Sequence, residues 1–538
     1  MQNRWIAFAA ITILAIAVLF QAFISRVSIS LYHVPLVALP VLYLLSAVAT
    51  NGLTWFAFGQ VLLMSVPLMA ALIITDVRNP LFIIAFGACF LAVVSLSGEV
   101  VPFLPNTITP AGFNLSPRIR LQTLIWYANI GAVVFGCGIF ALLGITARNT
   151  ALNVLKWLLI IFLAICIILT GSRAVVSFML VLSLAYVIHS FKAWRVAIVL
   201  AVVMSLAAIL VLIINPRLVF VSELVFRFVY WWDAARAFSS QPLWGLGPEG
   251  YLFRIFEIQS AIYRTRIVHN AFVQVAIDAG VFALIALCSA FALSLMHNFK
   301  TNKSIFYITL LLLLHSFMDS IILYFPTLFI LGICCSRDNV SEKVSVSVNK
   351  EIFVFAATVT AAFFISITSL YVSVGERFYS MGVNSTYEED FKVPRDAYRR
   401  ALQVMPQDFR ATIELAWVYI LREEHKYAAE LLLSTCSERF NRGFRYKLLV
   451  YAYRGMGCFE RWNDATHTFL RYAPMYQLAF NARRDFLVFA YRSDIISSTE
   501  FYAEFSLLLD KAVSVNESLP FLSQFLVERD RAIRLSMP

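Results

Sequence analysis

Long apolar runs constrain this chain more than any other feature of its sequence. Runs of about 20 residues recur through the first two-thirds, and each can cross a hydrocarbon core of roughly 30 Å. The chain of 538 residues is 60% hydrophobic and only 14% charged, whereas soluble domains carry about 25% charged residues. These features predict a bundle of membrane-spanning helices.

We expect an all-α chain, with a polytopic membrane bundle in residues 1–375 and a C-terminal α-helical domain in residues 376–538. Beyond about residue 376 the apolar runs stop. No small-residue cleavage site follows the first run, which favours an uncleaved span over a signal peptide. The predicted spans, about twelve, are 5–24, 31–49, 53–75, 81–97, 123–146, 157–172, 174–190, 196–214, 271–296, 304–319, 321–335 and 351–372.

Basic residues in four short loops predict the orientation of the bundle. Counting spans puts these loops on one side, and an excess of lysine and arginine in short loops indicates the cytoplasmic side. The 98–122 loop, the long loop at about 215–268 and the C-terminal domain then face outward, while the span count leaves the side of the N-terminus open. The basic residues are Arg148 and Lys156, Lys192 and Arg195, Lys300 and Lys303, and Arg337, Lys343 and Lys350.

A short pattern repeats in the C-terminal region. Its period is 34 residues, which is typical of the paired helices of tetratricopeptide repeats. We therefore expect a small helical-repeat domain that offers a concave surface to a protein partner or substrate; an irregular helical bundle is the alternative. The repeated positions, 68 residues apart, are Ala397, Leu402 and Pro406, which recur as Ala465, Leu470 and Pro474.

The longest polar interruption of the apolar region lies in the long loop and holds several arginines. A helix over 221–238 places Arg227 and Trp231 on one face, since residues four apart are neighbours on a helix. Arg236 lies nine residues after Arg227, which turns it to the opposite face. The next residues that favour turns are Pro242, Gly245 and Gly247. They predict turns that bring the chain back over the membrane.

Two further polar positions stand at the predicted outer ends of spans. Gly171 and Ser172 interrupt the helix just before Arg173, whose planar guanidinium suits phosphate oxygens. His269 begins the span at 271–296, where a neutral imidazole can accept a proton from a hydroxyl. A lone arginine at a span end can equally snorkel, and a lone histidine is often structural. Secondary candidates are Arg236, Arg266, His315 and Asp319, the last two being one helical turn apart.

Several function classes lack support in the sequence. The net charge of +11 is spread over membrane-flanking loops, and no nucleic-acid-binding motif accompanies it. No nucleotide-binding motif and no Cys/His cluster is present, so we expect no cofactor and no metal. Asp278 fits a bundle-facing polar group. Cys436 and Cys458 are able to pair only if the C-terminal region lies outside the cytoplasm.

Three elements together resemble the O-antigen ligase/polymerase superfamily of bacterial inner-membrane glycosyltransferases. They are TGSR at Arg173, an R-x3-W…P-x2-G-x-G loop that begins at Arg227, and HN-x9-G from His269 to Gly280. The resemblance covers about residues 120–335, and the first 120 residues carry no matching motif. The C-terminal repeat domain is not a core element of the superfamily.

The resemblance implies transfer of a glycan from undecaprenyl diphosphate to an acceptor hydroxyl at the periplasmic face. Arg173 and Arg227 would hold the diphosphate, His269 would deprotonate the acceptor, and no metal would be required. The acceptor would be lipid A–core in lipopolysaccharide biosynthesis, a protein in an O-oligosaccharyltransferase, or another lipid-linked repeat unit in a polymerase. A non-enzymatic transporter of lipid-linked glycan and a structural scaffold remain alternatives from other classes.

The predicted orientation of the bundle determines from which side of the membrane a reagent can reach the long loop. A cysteine introduced between residues 239 and 250 should react with a membrane-impermeant thiol reagent in intact spheroplasts, because this segment faces outward. The measurement is labelling above that of the unmodified chain. Labelling that appears only after lysis would overturn the outward placement of the loop.

Overall fold

The computed structural model describes most of the chain. Within these residues the structure is helical apart from one short hairpin. The described residues are 4–24, 33–50, 54–74, 79–97, 108–111, 118–121, 127–191, 221–260, 265, 267–336, 348–386, 391–406, 408–435, 442–474 and 476–515.

Contacts divide the chain into two compact units. The first is Met1–Glu249 with Ile267–Ser380, and the second is Gly250–Arg266 with Met381–Pro538. The helices that begin in the first unit are α1 (Arg4–Ile24), α2 (Val34–Ala49), α3 (Trp55–Ile74), α4 (Pro80–Ser97), α5 (Ala128–Gly144), α6 (Thr150–Thr170), α7 (Arg173–Phe191), α8 (Val221–Ser240), α10 (Ala271–Thr301), α11 (Lys303–Met318), α12 (Phe325–Cys335) and α13 (Val348–Ser385).

The predicted helical membrane bundle is confirmed. Every predicted span except 196–214 coincides with a helix, and 196–214 lies outside the described residues. Among the described residues, six helices are long and apolar enough to cross a membrane. Along α4, Phe82, Phe86 and Phe90 stack one turn apart with exposed rings. A stripe of this kind suits contact with lipid.

A two-stranded hairpin is the one departure from a helical chain within the described residues. Strand β1 (Ile108–Ala111) pairs antiparallel with β2 (Arg118–Leu121), and Ile108 lies opposite Leu121. The letters RIRL alternate polar and apolar, which is the period of a strand. The hairpin lies in the 98–122 loop, which we had not expected to hold regular structure.

Contacts between neighbouring helices show that the bundle has two chemically different ends. The Lys303 ammonium donates to the carbonyl of His189 at 3.0 Å, and the hydroxyls of Tyr186 and Ser304 lie 3.1 Å apart. Farther along the same two helices, Phe178 meets the His315 ring edge-on. Helices α7 and α11 are therefore antiparallel, and the N-terminal end of α7 lies beside the C-terminal end of α11.

Lys303 and the polar candidates consequently occupy opposite ends. Lys303 marks one end, together with Gly144, whose position for a Cβ is filled by Ser304. At the other end lie Arg173, the first residue of α7, and Asp319, which follows α11. The length of α11 thus separates Lys303 from the candidate site.

The long loop folds back onto α10 where that helix is kinked. Gly280 has φ +83° and ψ −178° inside α10. This break frees backbone groups, so that Leu246 N–H donates to the Ile277 carbonyl at 2.6 Å and Val281 N–H donates to Pro242 at 2.9 Å. Gly245, with φ +68°, lies against the same carbonyl, where a side chain would collide. Pro242, Gly245 and Gly280 therefore form one docking joint.

Among its described residues, the second unit contains seven helices of the C-terminal region and a short helix from the long loop. Alternate helices begin 33, 33, 34 and 35 residues apart, the last such interval is 39 residues, and consecutive helices pack together. This spacing agrees with a helical repeat, while the tetratricopeptide assignment itself stays a prediction. The helices are α9 (Gly250–Ile258), α14 (Lys392–Val404), α15 (Phe409–Leu421), α16 (His425–Thr435), α17 (Arg442–Gly455), α18 (Phe459–Tyr472), α19 (Gln477–Arg492) and α20 (Ser498–Val515).

Aromatic contacts pack helix α9 against the C-terminal helices within the second unit. Phe253 meets Phe409 edge-on at 5.5 Å between ring centroids. Phe256 lies 4.8 Å from Phe444 and 4.6 Å from Tyr476. Part of the long loop that we had assigned wholly to the membrane domain is thus packed among the C-terminal helices.

We expect Gly280→Ala to destabilise the protein strongly. An alanine Cβ would collide with the Leu243 carbonyl at a φ that side chains rarely adopt, and such strain and overpacking cost about 2–4 kcal/mol together. The matched control is Gly87→Ala on α4, where a Cβ meets no atom within 4 Å. Thermal unfolding of the purified protein in detergent compares them, and equal midpoints would contradict the docking joint.

Candidate active site

His269 and Asp319 meet at one end of the bundle. His269 Nδ1 lies 3.2 Å from Asp319 Oδ1. The Asp319 side chain is 1% exposed and the His269 side chain 23% exposed, so the imidazole reaches the surface while the carboxylate is covered. No hydrogen bond to His269 Nε2 occurs among the residues that the structure describes. This nitrogen is therefore the one available to a reacting group.

Asp319 is held by donors from three segments. Its Oδ2 accepts from the Tyr127 hydroxyl and, at 3.0 Å, from the Asn129 amide, both at the beginning of α5. Its Oδ1 also accepts from the backbone N–H of Ser320 at 2.9 Å. A buried carboxylate with this many donors keeps its charge and its orientation. It can consequently hold the imidazole in one tautomer, with the proton on Nδ1.

The backbone around His269 fixes the direction of its ring. His269 has φ +54°, a left-handed conformation that few non-glycine residues adopt. The next residue, Asn270, caps α10 by accepting from the N–H groups of Phe272 and Val273 at 3.0 and 3.1 Å. Gln274 accepts from the N–H of Val268 at 3.0 Å. The histidine thus stands between two anchored residues.

Helix α8 contacts this site through two of the predicted residues. Arg227 Nη1 donates to the carbonyl of Met318, immediately before Asp319. Trp231 Nε1 donates to the carbonyl of Val268, immediately before His269, at 3.1 Å. These contacts place one face of α8 over both halves of the pair. Since a guanidinium has five N–H donors, Arg227 retains donors for an anion.

Arg236 lies on another face of the same helix, as the helical spacing predicts. Its side chain is 55% exposed and pairs at 3.3 Å with Asp233, which is fully buried. The prediction that only one of the two arginines faces a common site agrees with this geometry. Arg236 therefore has a local partner, away from His269 and Asp319.

Arg173 lies at the same end of the bundle as the pair. Gly171 ends α6 in the left-handed conformation, with φ +63°, and α7 begins two residues later at Arg173. The interruption that we expected from the letters TGSR is therefore present. Arg173 is exposed, and α7 packs against α11, the helix that precedes Asp319.

His315 is not the hydrogen-bonded partner of Asp319. It is 1% exposed, and its Nδ1 has no hydrogen-bond partner in the described part of the chain. Asp319 directs its oxygens to His269 and α5 instead, because α11 ends at Met318 and the chain turns there. The hydrogen-bonded pair in the structure is therefore His269 and Asp319, and the role of His315 stays a prediction.

Other candidates fall elsewhere. Arg266 lies outside the described residues. Cys436 does too, so the pairing of Cys436 with Cys458 stays a prediction. Asp278 is fully buried, as expected of a bundle-facing polar group, and accepts from Gln274 at 2.9 Å. Beside it, Gln60 donates to Glu249. The described residues hold no cluster of three or more His, Cys, Asp or Glu that fits a metal ion.

Sequence reasoning missed Tyr127 and Asn129. Neither belongs to a recognisable motif, and they lie 192 and 190 residues from the carboxylate that they bind. Their one signal is position: they begin a predicted span at the same end as Arg173 and His269. Polar residues at a span end are common, so this signal alone does not single them out.

The fold and the polar group at its end define a multi-pass helical membrane protein with a candidate catalytic histidine. Residues 158–288 match the family model of the O-antigen ligase domain. The resemblance to the O-antigen ligase/polymerase superfamily is therefore confirmed over this segment, which holds Arg173, Arg227 and His269. Asp319 and Tyr127 lie outside the match. No curated protein matches the chain.

The two arginines of α8 should differ sharply in function. Arg227→Ala should lower glycan transfer about 30- to 1000-fold, since a charge-assisted contact to an anion contributes about 2–4 kcal/mol. Arg236→Ala, the matched control, should change the rate less than about 3-fold, because Arg236 lies on another face of α8 and pairs with Asp233 instead of contacting the residues beside His269 and Asp319. The measurement is the rate with purified protein and lipid-linked glycan.

Arg227→Lys distinguishes charge from geometry, because lysine keeps the charge and loses the planar fork. Unfolding midpoints of all three variants report any loss of the Met318 contact. Equal losses of rate in the Arg227→Ala and Arg236→Ala variants would show that α8 is docked differently.

Proposed function

We propose that this protein transfers a glycan from undecaprenyl diphosphate to an acceptor hydroxyl, as an O-antigen ligase-like enzyme. The observation that carries the proposal is the imidazole of His269, held at Nδ1 by a buried carboxylate and open at Nε2. The match to the O-antigen ligase domain supports glycosyl transfer in general. The lipid donor and the acceptor are the finer parts of the proposal.

His269 acts as the general base in this scheme. Its Nε2 takes the proton of the acceptor hydroxyl while that oxygen attacks the anomeric carbon of the glycan. The bond between this carbon and the diphosphate oxygen breaks, and undecaprenyl diphosphate leaves with the bonding electron pair. Asp319 stabilises the imidazolium that forms, as a buried carboxylate does beside a catalytic histidine.

Arginines stabilise the leaving diphosphate. Arg227 lies on the α8 face that contacts the backbone on both sides of the pair, and Arg173 begins a helix at the same end of the bundle. Guanidinium groups bind phosphate oxygens through two parallel hydrogen bonds. Negative charge develops on the diphosphate as the bond breaks, so these contacts strengthen in the transition state. No metal ion is required by this scheme.

We place the site at the periplasmic face of a bacterial inner membrane. This placement is supported by Lys303 of one basic loop, which contacts His189 at the end of α11 opposite Asp319. Lipid-linked donor then enters from the membrane, beside exposed apolar helix faces. The C-terminal domain is periplasmic in this arrangement and is available to a protein partner or to the acceptor.

His269→Ala should lower transfer by about 10²–10⁴-fold, the usual contribution of a positioned base. Asp319→Asn should lower it by about 10- to 1000-fold, since an amide holds the imidazole less well and does not stabilise its charge. The assay uses purified protein, undecaprenyl-diphosphate glycan and acceptor, with and without EDTA. Binding of the lipid donor should persist in the His269→Ala variant, because the arginines remain.

His315→Ala serves as the comparison for His269→Ala, since it removes the other histidine near Asp319. Activity that survives His269→Ala and is lost in His315→Ala would move the base to α11 and refute the assignment. Inhibition by EDTA that added divalent cation reverses would refute metal-independent transfer. In a deletion strain, undecaprenyl-linked polymer that never reaches an acceptor indicates a ligase. Loss of long chains with intact single repeats indicates a polymerase.

A further inference from the structure

A solvent-open cavity in the second unit has the composition of a saccharide-binding site. It measures about 160 Å³ and lies between α17, α18 and α19. Its lining includes three cationic side chains, three aromatic ones and an amide. They are Lys447, Arg454, Arg484, Tyr451, Trp462, Phe469 and Asn481.

The cationic side chains give the cavity a positive charge. Lys447 and Arg454 lie on one face of α17, seven residues apart. Arg484 pairs with Asp485 at 2.7 Å, and this aspartate also lines the cavity. The lining therefore carries three positive charges and one negative charge. An anionic group entering between these helices meets a favourable field.

Aromatic groups and unused hydrogen-bonding atoms add a second kind of recognition. The Arg454 guanidinium lies over the Trp462 ring, 5.7 Å from its centroid. Trp462 is 3% exposed, and its indole N–H has no hydrogen-bond partner among the described residues. The Asn481 side-chain oxygen likewise has none in the described part of the chain. Buried polar atoms without partners are rare in proteins, so a ligand that supplies hydroxyl groups would satisfy them.

Size and chemistry together favour one ligand class. Pockets for larger molecules measure about 300–1,000 Å³, so this cavity accommodates a single sugar ring rather than a folded segment or a lipid. A pyranose offers hydroxyl groups for Asn481 and the indole, and an apolar face for Tyr451. A carboxylate on that ring offers two oxygens to Arg454 or Lys447.

We propose that this cavity, the α17–α19 cavity, binds an acidic sugar residue of a glycan. The inference rests on the proposed function, because glycan transfer is what would bring a glycan to the second unit. The cavity would select chains that carry uronic-acid-type residues. An acidic peptide is the competing occupant, and the test distinguishes it.

The test measures binding to the full-length protein in detergent by isothermal titration calorimetry. The probes are trigalacturonic acid, its methyl ester, a triglutamate peptide and inorganic phosphate. We expect the free acid to bind at least about 10-fold more tightly than the ester, the peptide or phosphate, because only it combines carboxylates with sugar rings. Equal affinity for acid and ester, or tightest binding of the peptide or phosphate, would overturn the proposal.

Arg454→Met should weaken binding of the free acid about 10-fold or more, as loss of a charge-assisted contact does. The matched control is Arg461→Met on α18, because Arg461 also lies over an aromatic ring, that of Tyr453, but does not line the cavity. Its affinity should stay within about 2-fold. Lys447→Met is the second variant if Arg454→Met does not fold. An equal loss of affinity in the Arg461→Met variant would refute the assignment.

The outcome is independent of the transfer reaction, because no lipid donor is present in the titration. A protein that binds trigalacturonic acid through Arg454 but transfers no glycan would refute only the proposed function. A protein that transfers glycan but discriminates neither acid from ester nor Arg454 from Arg461 would refute only the α17–α19 cavity as a sugar site.

Discussion

The site depends on a single carboxylate that is buried at the end of a membrane bundle. Burying an ionised carboxyl is costly unless donors surround it, and Asp319 accepts from Tyr127, Asn129, the Ser320 backbone and His269. These donors come from segments far apart in the sequence. The same contacts that offset the burial of the charge therefore bring α5, the residues before α10 and the end of α11 to one place.

Backbone geometry at glycines completes the arrangement. A helix such as α10 normally uses its own carbonyls, but the break at Gly280 frees groups that the long loop then satisfies through Leu246 and Pro242. Side chains at Gly245 or Gly280 would occupy space held by backbone carbonyls. Gly245 of the P-x2-G-x-G pattern thus matters less as a flexible turn than as a position where the loop backbone touches that of α10, whereas Gly247 faces the Thr50 side chain.

Much of the bundle was predictable because a bilayer imposes length and apolarity on every span. The break at Gly171 and the opposed faces of Arg227 and Arg236 were also predictable, because both follow from local helical geometry. The histidine that pairs with Asp319 was not predictable. His315, one helical turn before Asp319, leaves its Nδ1 without a hydrogen bond among the described residues, and the partner, His269, is 50 residues away. The hairpin β1–β2 was missed because two short alternating segments give little signal beside long apolar runs.

The long loop shows why counting like residues in a stretch does not predict their roles. It contains six arginines, and the described ones have separate surroundings. Arg227 contacts the backbone beside Asp319, Arg236 pairs with Asp233, and Arg254 pairs at 3.4 Å with Glu257 on α9. Because α9 packs with the C-terminal helices, the loop contributes to two units. Each guanidinium binds the acceptor that the fold places beside it. Its role therefore depends on tertiary contacts between residues far apart in the sequence.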